Sequence, residues 1–333
     1  MERQVAVLGA GSFGTALANH IANNGHSVAL WGRDASVLQS ISTDLENPRY
    51  LPGVTLSDSI TCSAVLEDVL RNASDVLVAV PSQHFNHYIA SIAALTSESC
   101  SVIWACKGLE SGTCRFLSEV AAEGLSGDRN YAVISGPTFA AELAKGLPTA
   151  IVAAANRAAY AESVVKLLHN DRLRIYLSDD INGVELGGAL KNVYAIAAGV
   201  SDGLDFGANA RVAVITRGLA ELMRLGEKLG VQSETLMGLS GVGDLILTCT
   251  DDQSRNRRFG LALGHGMSKN EAYESIGQSV EGVNAAEVAW QLAQKHSVNM
   301  PIVEQVYKVI NSEVTPVQAV SALLGRASKS ERL

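Results

Sequence analysis

The sequence predicts an α/β domain built on a parallel sheet over residues 1–180, followed by an all-α domain over residues 181–333. Short apolar runs alternate with helix-like segments in the first half, strand patterns stop after Leu177, and helical periods run on to the end. A length of 333 residues suits two domains of about 100–200 residues each. Hydrophobic residues at 47% and charged residues at 18% make a globular mixture, and aromatics at only 5% leave aliphatic side chains to fill the core.

The first strand is Gln4–Leu8, an apolar, valine-bearing run that enters Gly9, Gly11 and Gly14. The stretch TALANHIANN then has helical periodicity, and Gly25 closes it. SVALW follows as a second strand, completing a βαβ unit. Further strands are expected at DVLVAV from Asp75, SVIWAC from Ser101 and YAVIS from Tyr131, each apolar on both faces as in a sheet covered on both sides. In the second domain a helix is expected over about Ile181–Val200. Another, over about Asn209–Leu229, carries Val212, Ile215, Leu219, Leu222, Leu225 and Leu229 at helical spacing and stops at Gly230. DLILTC near Asp244 reads equally as strand or helix, and the polar tail Arg326–Leu333 is expected to fray.

Composition excludes several classes of function. Lys+Arg 26 against Asp+Glu 34 gives a net charge of −8, with no polybasic surface for nucleic acid or anionic lipid. Cys62, Cys100, Cys106, Cys114 and Cys249 are odd in number, scattered and never spaced as CxxC, a pattern of reduced thiols in a cytoplasm. MERQVAVLGAGSFG has no basic leader. The longest apolar runs, such as AIVAAA from Ala150, break at Asn156 and Arg157, well short of the roughly 18 residues of a membrane helix, so no membrane insertion is expected.

Gly9, Gly11 and Gly14 form a GxGxxG between a strand and a helix, the context in which that pattern binds a dinucleotide: a tight turn, a close backbone approach to pyrophosphate, and a helix N-terminus facing the negative charge. At the end of the second strand, where NAD-selective folds place an acidic residue, this chain reads LWGRD. Arg33 can meet a 2′-phosphate, which favours NADP(H), while Asp34 keeps NAD(H) open. ELGGALKNVYAIAAGV holds a single charge, Lys191, between Leu186 and Val200. A lysine on so apolar a helix either snorkels to water or serves as an acid or base at a cleft, with Asn192 beside it as a neutral donor and acceptor. Ser254, Arg255 and Asn256 stand where a helix begins, and an arginine there opposes the helix dipole unless an anion lies close. Lys107 follows a strand at the carboxyl end of the sheet, with Gly108 leaving room beside it; a surface lysine is the alternative. His84 and His87 have no cysteine or carboxylate partners, so no metal is expected, and neither a Walker A motif nor a GxSxG elbow occurs.

GAGSFGTALA, ACKGLE, SGPTFAAELAKGLPTA, ELGGALKNVYAIAAGVSDGL, TRGLAEL and GVGDLILTCTDDQSRNRRFG, in that order, resemble bacterial NAD(P)-dependent glycerol-3-phosphate dehydrogenase over nearly the whole chain. The resemblance implies a Rossmann-type domain, a helical domain and interconversion of dihydroxyacetone phosphate with sn-glycerol 3-phosphate in a cleft, supplying glycerophospholipid synthesis. It assigns Ser12, Phe13, Arg33, Lys107, Ala140, Arg255, Val280 and Glu281 to the cofactor. To the substrate it assigns Lys107, Gly136, Thr138, Lys191, Asp244, Ser254, Arg255 and Asn256, with Lys191 as proton donor and acceptor. Phe13 replaces a common tryptophan and Thr138 a common serine, which keeps the aromatic face and the hydroxyl. On that reading Asp244 and Asn192 orient the ammonium, while Arg255, Asn256 and a backbone amide near Ser254 hold the phosphate. The rival readings are a helical-domain reductase for another substrate, such as a β-hydroxy acid or ketopantoate, and an NADP sensor without turnover. A homodimer is compatible with these features and argued by none of them.

Overall fold

The computed structural model describes residues 3–125 and 127–327, so most of the tail from Arg326 lies outside the described residues. The chain divides into two compact units: 1–106 with 116–181, and 107–115 with 182–333. Against a single cut after residue 180, the short segment Lys107–Arg115 leaves the first unit and joins the second.

The first unit runs β1 (Gln4–Leu8), α1 (Ser12–Asn23), β2 (Ser27–Trp31), α2 (Ala35–Asp44), β3 (Ile60–Ser63), α3 (Leu66–Leu70), β4 (Asp75–Val78), α4 (Phe85–Leu95), β5 (Ser101–Trp104) and α5 (Leu117–Gly124). It continues through β6 (Tyr131–Ser135), α6 (Ala140–Ala144), β7 (Thr149–Ala155), α7 (Ala158–Leu168) and β8 (Leu173–Ser178). One eight-stranded sheet has the order β3-β2-β1-β4-β5-β6-β7-β8. Val5–Leu8, Val76–Val78 and Val102–Trp104 are completely buried, as strands covered on both faces must be. The wholly parallel sheet expected from sequence is corrected at one edge, because β7 runs antiparallel to β6. The chain turns back between them through residues 136–148, whose helix α6 packs on α1. AIVAAA, noted only as an apolar run, is the heart of β7.

The second unit is helical: α8 (Ile181–Gly203), α9 (Gly207–Lys228), α10 (Ser233–Leu236), α11 (Asp244–Thr250), α12 (Arg255–Gly264), α13 (Lys269–Ile276), α14 (Glu281–Lys295), α15 (Pro301–Ile310) and α16 (Pro316–Leu324). DLILTC is therefore helix α11, entered through a π-turn at Leu239–Gly243. Nineteen of the 23 residues of α8 are buried, which makes it the central helix of the unit. Its glycines are used for backbone contact: a Cβ on Gly199 would stand 2.0 Å from Arg257 O, and one on Gly260 would stand 2.1 Å from Ile196 O. Gly203 and Gly264 repeat the pattern one turn on, so α8 and α12 pack with no side chain between them. On α9 the expected stripe is buried from Ile215 to Leu225, while Val212 stands 59% exposed.

Candidate active site

In the first unit the turn after β1 is shaped by its glycines. Gly9 has φ +121°, and a Cβ there would meet Ala79 O at 2.8 Å; one on Gly14 would strike Gly9 O at 1.9 Å. Gly11, the N-cap of α1, differs, since a Cβ on it would meet nothing within 4 Å. Open space thus lies over the start of a twelve-residue helix whose first internal bond is Thr15 N–H to Gly11 O (2.9 Å), the arrangement that accepts a pyrophosphate. Ser12 and Phe13 open that helix, and Phe13 also packs against the aliphatic core.

Arg33 stands exposed just beyond β2. Asp34 is already committed: one carboxylate oxygen caps α2 through Ser36 N–H (3.0 Å) and Ser36 Oγ–H (2.6 Å), and the other pairs with Arg49 (2.7 Å). Hydrogen bonding to Ser36 chiefly holds its pKa below the usual carboxylate range. Each oxygen of the carboxylate that sequence left open for ribose hydroxyls thus already has a partner within the first unit. Gly136 follows β6, where a Cβ would meet Ile151 Cα at 2.9 Å; Thr138 Oγ donates to Gly136 O (3.3 Å), and Ala140 opens α6.

In the second unit Lys191 is 5% exposed and its ammonium is held by two groups of α11, Asp244 Oδ1 at 2.5 Å and Thr248 Oγ at 2.9 Å. Lys107 takes the other oxygen of the same carboxylate, Oδ2, at 2.6 Å. Two cations share one buried anion, leaving local positive charge for an anionic ligand. Burial pulls Lys191 down to about 8 from its usual 10.5 and the Lys107 charge pushes the same way, while Asp244 opposes both. Burial would raise Asp244, yet the two lysines outweigh it and its pKa falls, so the carboxylate stays ionised. Of the three Lys191 hydrogens, two are engaged by Asp244 and Thr248, and the third can serve a ligand.

Thr248 was not legible while DLILTC could be a strand; on a helix it stands one turn after Asp244, on the same face, and donates back to Asp244 O at 2.6 Å. Ser254 is the N-cap of α12 and accepts from Arg257 N–H (3.2 Å). Arg255 reaches Gln278 Oε1 (3.2 Å), and its charge partly offsets the burial that raises the pKa of Glu281, the first residue of α14 after its N-cap Val280. Arg257, its neighbour in the basic run, is a structural cation paired with Asp202 and Asp252. Asn192 does not touch the Lys191 ammonium: its Oδ1 accepts from Asn256 Nδ2 (2.8 Å), and Asn256 Oδ1 accepts from Gly282 N–H (2.8 Å). Among the described residues no group of three His, Cys, Asp or Glu side chains could hold a metal, and no helix is long and apolar enough to cross a membrane. None of the five cysteines forms a disulfide among the described residues.

Two family models match the chain, those of the N-terminus (residues 4–161) and the C-terminus (residues 180–321) of NAD-dependent glycerol-3-phosphate dehydrogenase. A protein of Thioalkalivibrio sulfidiphilus, named a glycerol-3-phosphate dehydrogenase acting with NAD(P)+, is 52% identical over 98% of this chain and 98% of its own. A Shewanella sediminis protein of the same name is 51% identical over 98% and 97% of the two chains. The solved glycerol-3-phosphate dehydrogenase of Coxiella burnetii is 44% identical, covers 98% of this chain and 99% of its own, and superposes with a TM-score of 0.94. A dinucleotide turn after β1 of the first unit, a lysine pair on one buried carboxylate within the second, and relatives matched over nearly the whole chain together place this chain in the NAD-dependent glycerol-3-phosphate dehydrogenase family.

Proposed function

We propose that this chain reduces dihydroxyacetone phosphate to sn-glycerol 3-phosphate, with the unit of residues 1–106 and 116–181 binding NADP(H) in preference to NAD(H) and the unit of residues 107–115 and 182–333 supplying the lysine pair and Arg255 to the substrate. The product would serve glycerophospholipid synthesis. A reduced nicotinamide, when bound, supplies the hydride for the ketone carbon. Lys191 Nζ then donates a proton to the alkoxide oxygen, and Asp244 and Thr248 hold that ammonium in place from two sides. Arg255, at the start of α12, and Lys107 meet the phosphate as charge-assisted donors. The observation that carries this reading is the buried Lys191–Asp244–Lys107 cluster, which pairs a proton donor with an excess of positive charge.

The reading is tested by following NADPH and NADH oxidation with dihydroxyacetone phosphate, dihydroxyacetone and ketopantoate. Consumption confined to the phosphorylated ketone is expected; equal rates with dihydroxyacetone, or none with any of the three, would sink it. The cofactor preference rests on Arg33, exposed where a 2′-phosphate would lie while Asp34 is committed elsewhere. Replacing Arg33 with serine is expected to raise the KM for NADPH about tenfold, the worth of one exposed charge-assisted contact, and to leave that for NADH nearly unchanged. Parallel losses for both cofactors would show that Arg33 does not read the 2′-position.

A further inference from the structure

The loop that joins α2 to β3 comes back to the glycine turn, and one of its residues, Asn47, is bonded to that turn. Asn47 is completely buried although Pro48 and Arg49 after it are exposed. Standing before a proline, it is biased to extended backbone. Both ends of its side-chain amide are engaged: Oδ1 accepts from Tyr50 N–H (3.1 Å), and Nδ2 donates to Ala10 O (3.1 Å) and to Thr15 Oγ (2.8 Å). The Tyr50 bond fixes which end is which, because a backbone N–H can only donate, so the NH2 must face the turn. Leu51, Val54 and Leu56 lie in the aliphatic core of the first unit and anchor the loop behind Asn47.

We propose that Asn47 is a positioning residue for the dinucleotide, acting through the Ala10–Gly11 peptide without touching the cofactor itself. In a planar trans peptide the C=O and the N–H that follows it point in opposite directions, and no cis peptide bond occurs among the described residues. By holding Ala10 O on the buried side, Asn47 sends Gly11 N–H the other way. The turn then keeps a carbonyl lone pair off the face that meets the pyrophosphate. The restraint is needed because the peptide is followed by glycine, whose φ is not limited by a Cβ, so that an unheld Ala10–Gly11 peptide can flip. The pyrophosphate is common to NADPH and NADH, so Asn47 serves both cofactors alike, in contrast to Arg33. The proposal rests on the assignment of this turn to a nicotinamide dinucleotide and adds to it the residue that aims the turn.

The test is a fluorescence titration of NADPH and NADH, without ketone, on the intact Asn47→Ala and Asn19→Ala enzymes. Asn19 is the control. One turn after Thr15 on α1 and 2% exposed, it accepts from Ser57 N–H through Oδ1 (2.8 Å), and so holds the same loop on the same helix without bonding the glycine turn. Both substitutions should lower the thermal midpoint of the free enzyme. Only Asn47→Ala should weaken binding, raising the Kd of NADPH and that of NADH about tenfold each, as for loss of one hydrogen bond to a charged group. The ratio of the two constants should not change, and kcat at saturating cofactor should stay within about twofold of wild type. Unchanged Kd values in Asn47→Ala, a rise confined to one cofactor, or an equal rise in Asn19→Ala would overturn the proposal, the last by reducing Asn47 to a staple of the loop. If Asn47→Ala fails to fold, Asn47→Ser is titrated in its place with the same outcomes. A wild-type enzyme that binds neither cofactor would instead overturn the assignment of the turn, so the two failures are distinguishable.

Discussion

Replacing Lys191 with alanine is expected to lower turnover of dihydroxyacetone phosphate about 10³-fold while leaving NADPH affinity nearly intact. The size follows from the proposed role: a positioned general acid is worth roughly 10²–10⁴, and on that proposal Lys191 would also supply charge beside the developing alkoxide. The fold should survive, because Asp244 keeps its second ion pair with Lys107 at 2.6 Å. A pH profile separates the proton from the charge. With its pKa drawn down to about 8, Lys191 is ammonium below that pH and amine above it. Ketone reduction needs the ammonium, so its kcat/KM should be level at neutral pH and fall about tenfold per pH unit above 8. Alcohol oxidation needs the amine and should rise through the same range. Both inflections should vanish in Lys191→Ala. Turnover within a few-fold of wild type, or an unchanged inflection, would remove Lys191 from the reaction.

Gly260→Ala should lower the thermal midpoint by roughly 4–8 °C, taking an overpacking cost of about 3 kcal/mol less the about 1 kcal/mol that alanine returns in helix propensity, at about 2–4 °C per kcal/mol for a unit of this size. Two effects compete at this position. Alanine is the better helix former by about 1 kcal/mol, which alone would stabilise α12. The new Cβ, however, would sit 2.1 Å from Ile196 O, a backbone atom of a central helix that has no rotamer in which to yield. Contact therefore wins over propensity, and the sign of the shift measured by calorimetry decides the matter: an unchanged or raised midpoint would mean that α8 and α12 are not in backbone contact. Because α8 carries Lys191 and Asn192 while α12 carries Arg255 and Asn256, the same wedge should also cost activity.

What could be read from the sequence depended on how local the signal was. The glycine turn after β1 is encoded within eleven residues and was legible, as was Lys191, a lone charge on an apolar helix. The helix start at Arg255 was legible too, from the cap-forming Ser254 ahead of it. DLILTC was not, because the five apolar or β-branched residues after Asp244 satisfy both periods, and that ambiguity hid Thr248. β7 was passed over because TAIVAAA is mostly alanine, a weak strand former that long-range pairing overrides. Its antiparallel direction is decided by how the chain returns from β6, which no pattern within the strand records. The glycines of α8 do not name their partner in the sequence, and at Gly199 and Gly203 they meet the backbone of α12. Asn256 was placed on the phosphate by resemblance, while its commitment to Asn192 and Gly282 depends on three helices meeting and has no sequence signature.

The excursion of Lys107–Arg115 imposes an order on biosynthesis. Lys107 leaves the ribosome 137 residues before Asp244, which at about 5–20 residues per second is a delay on the order of ten seconds. In that interval Phe116–Ile181 can emerge and complete the eight-stranded sheet, while the segment that will belong to the helical unit stays looped out and hydrated. The first unit must therefore tolerate an unanchored insertion immediately after β5, and the ammonium of Lys107 gives up its water only when α11 arrives to receive it.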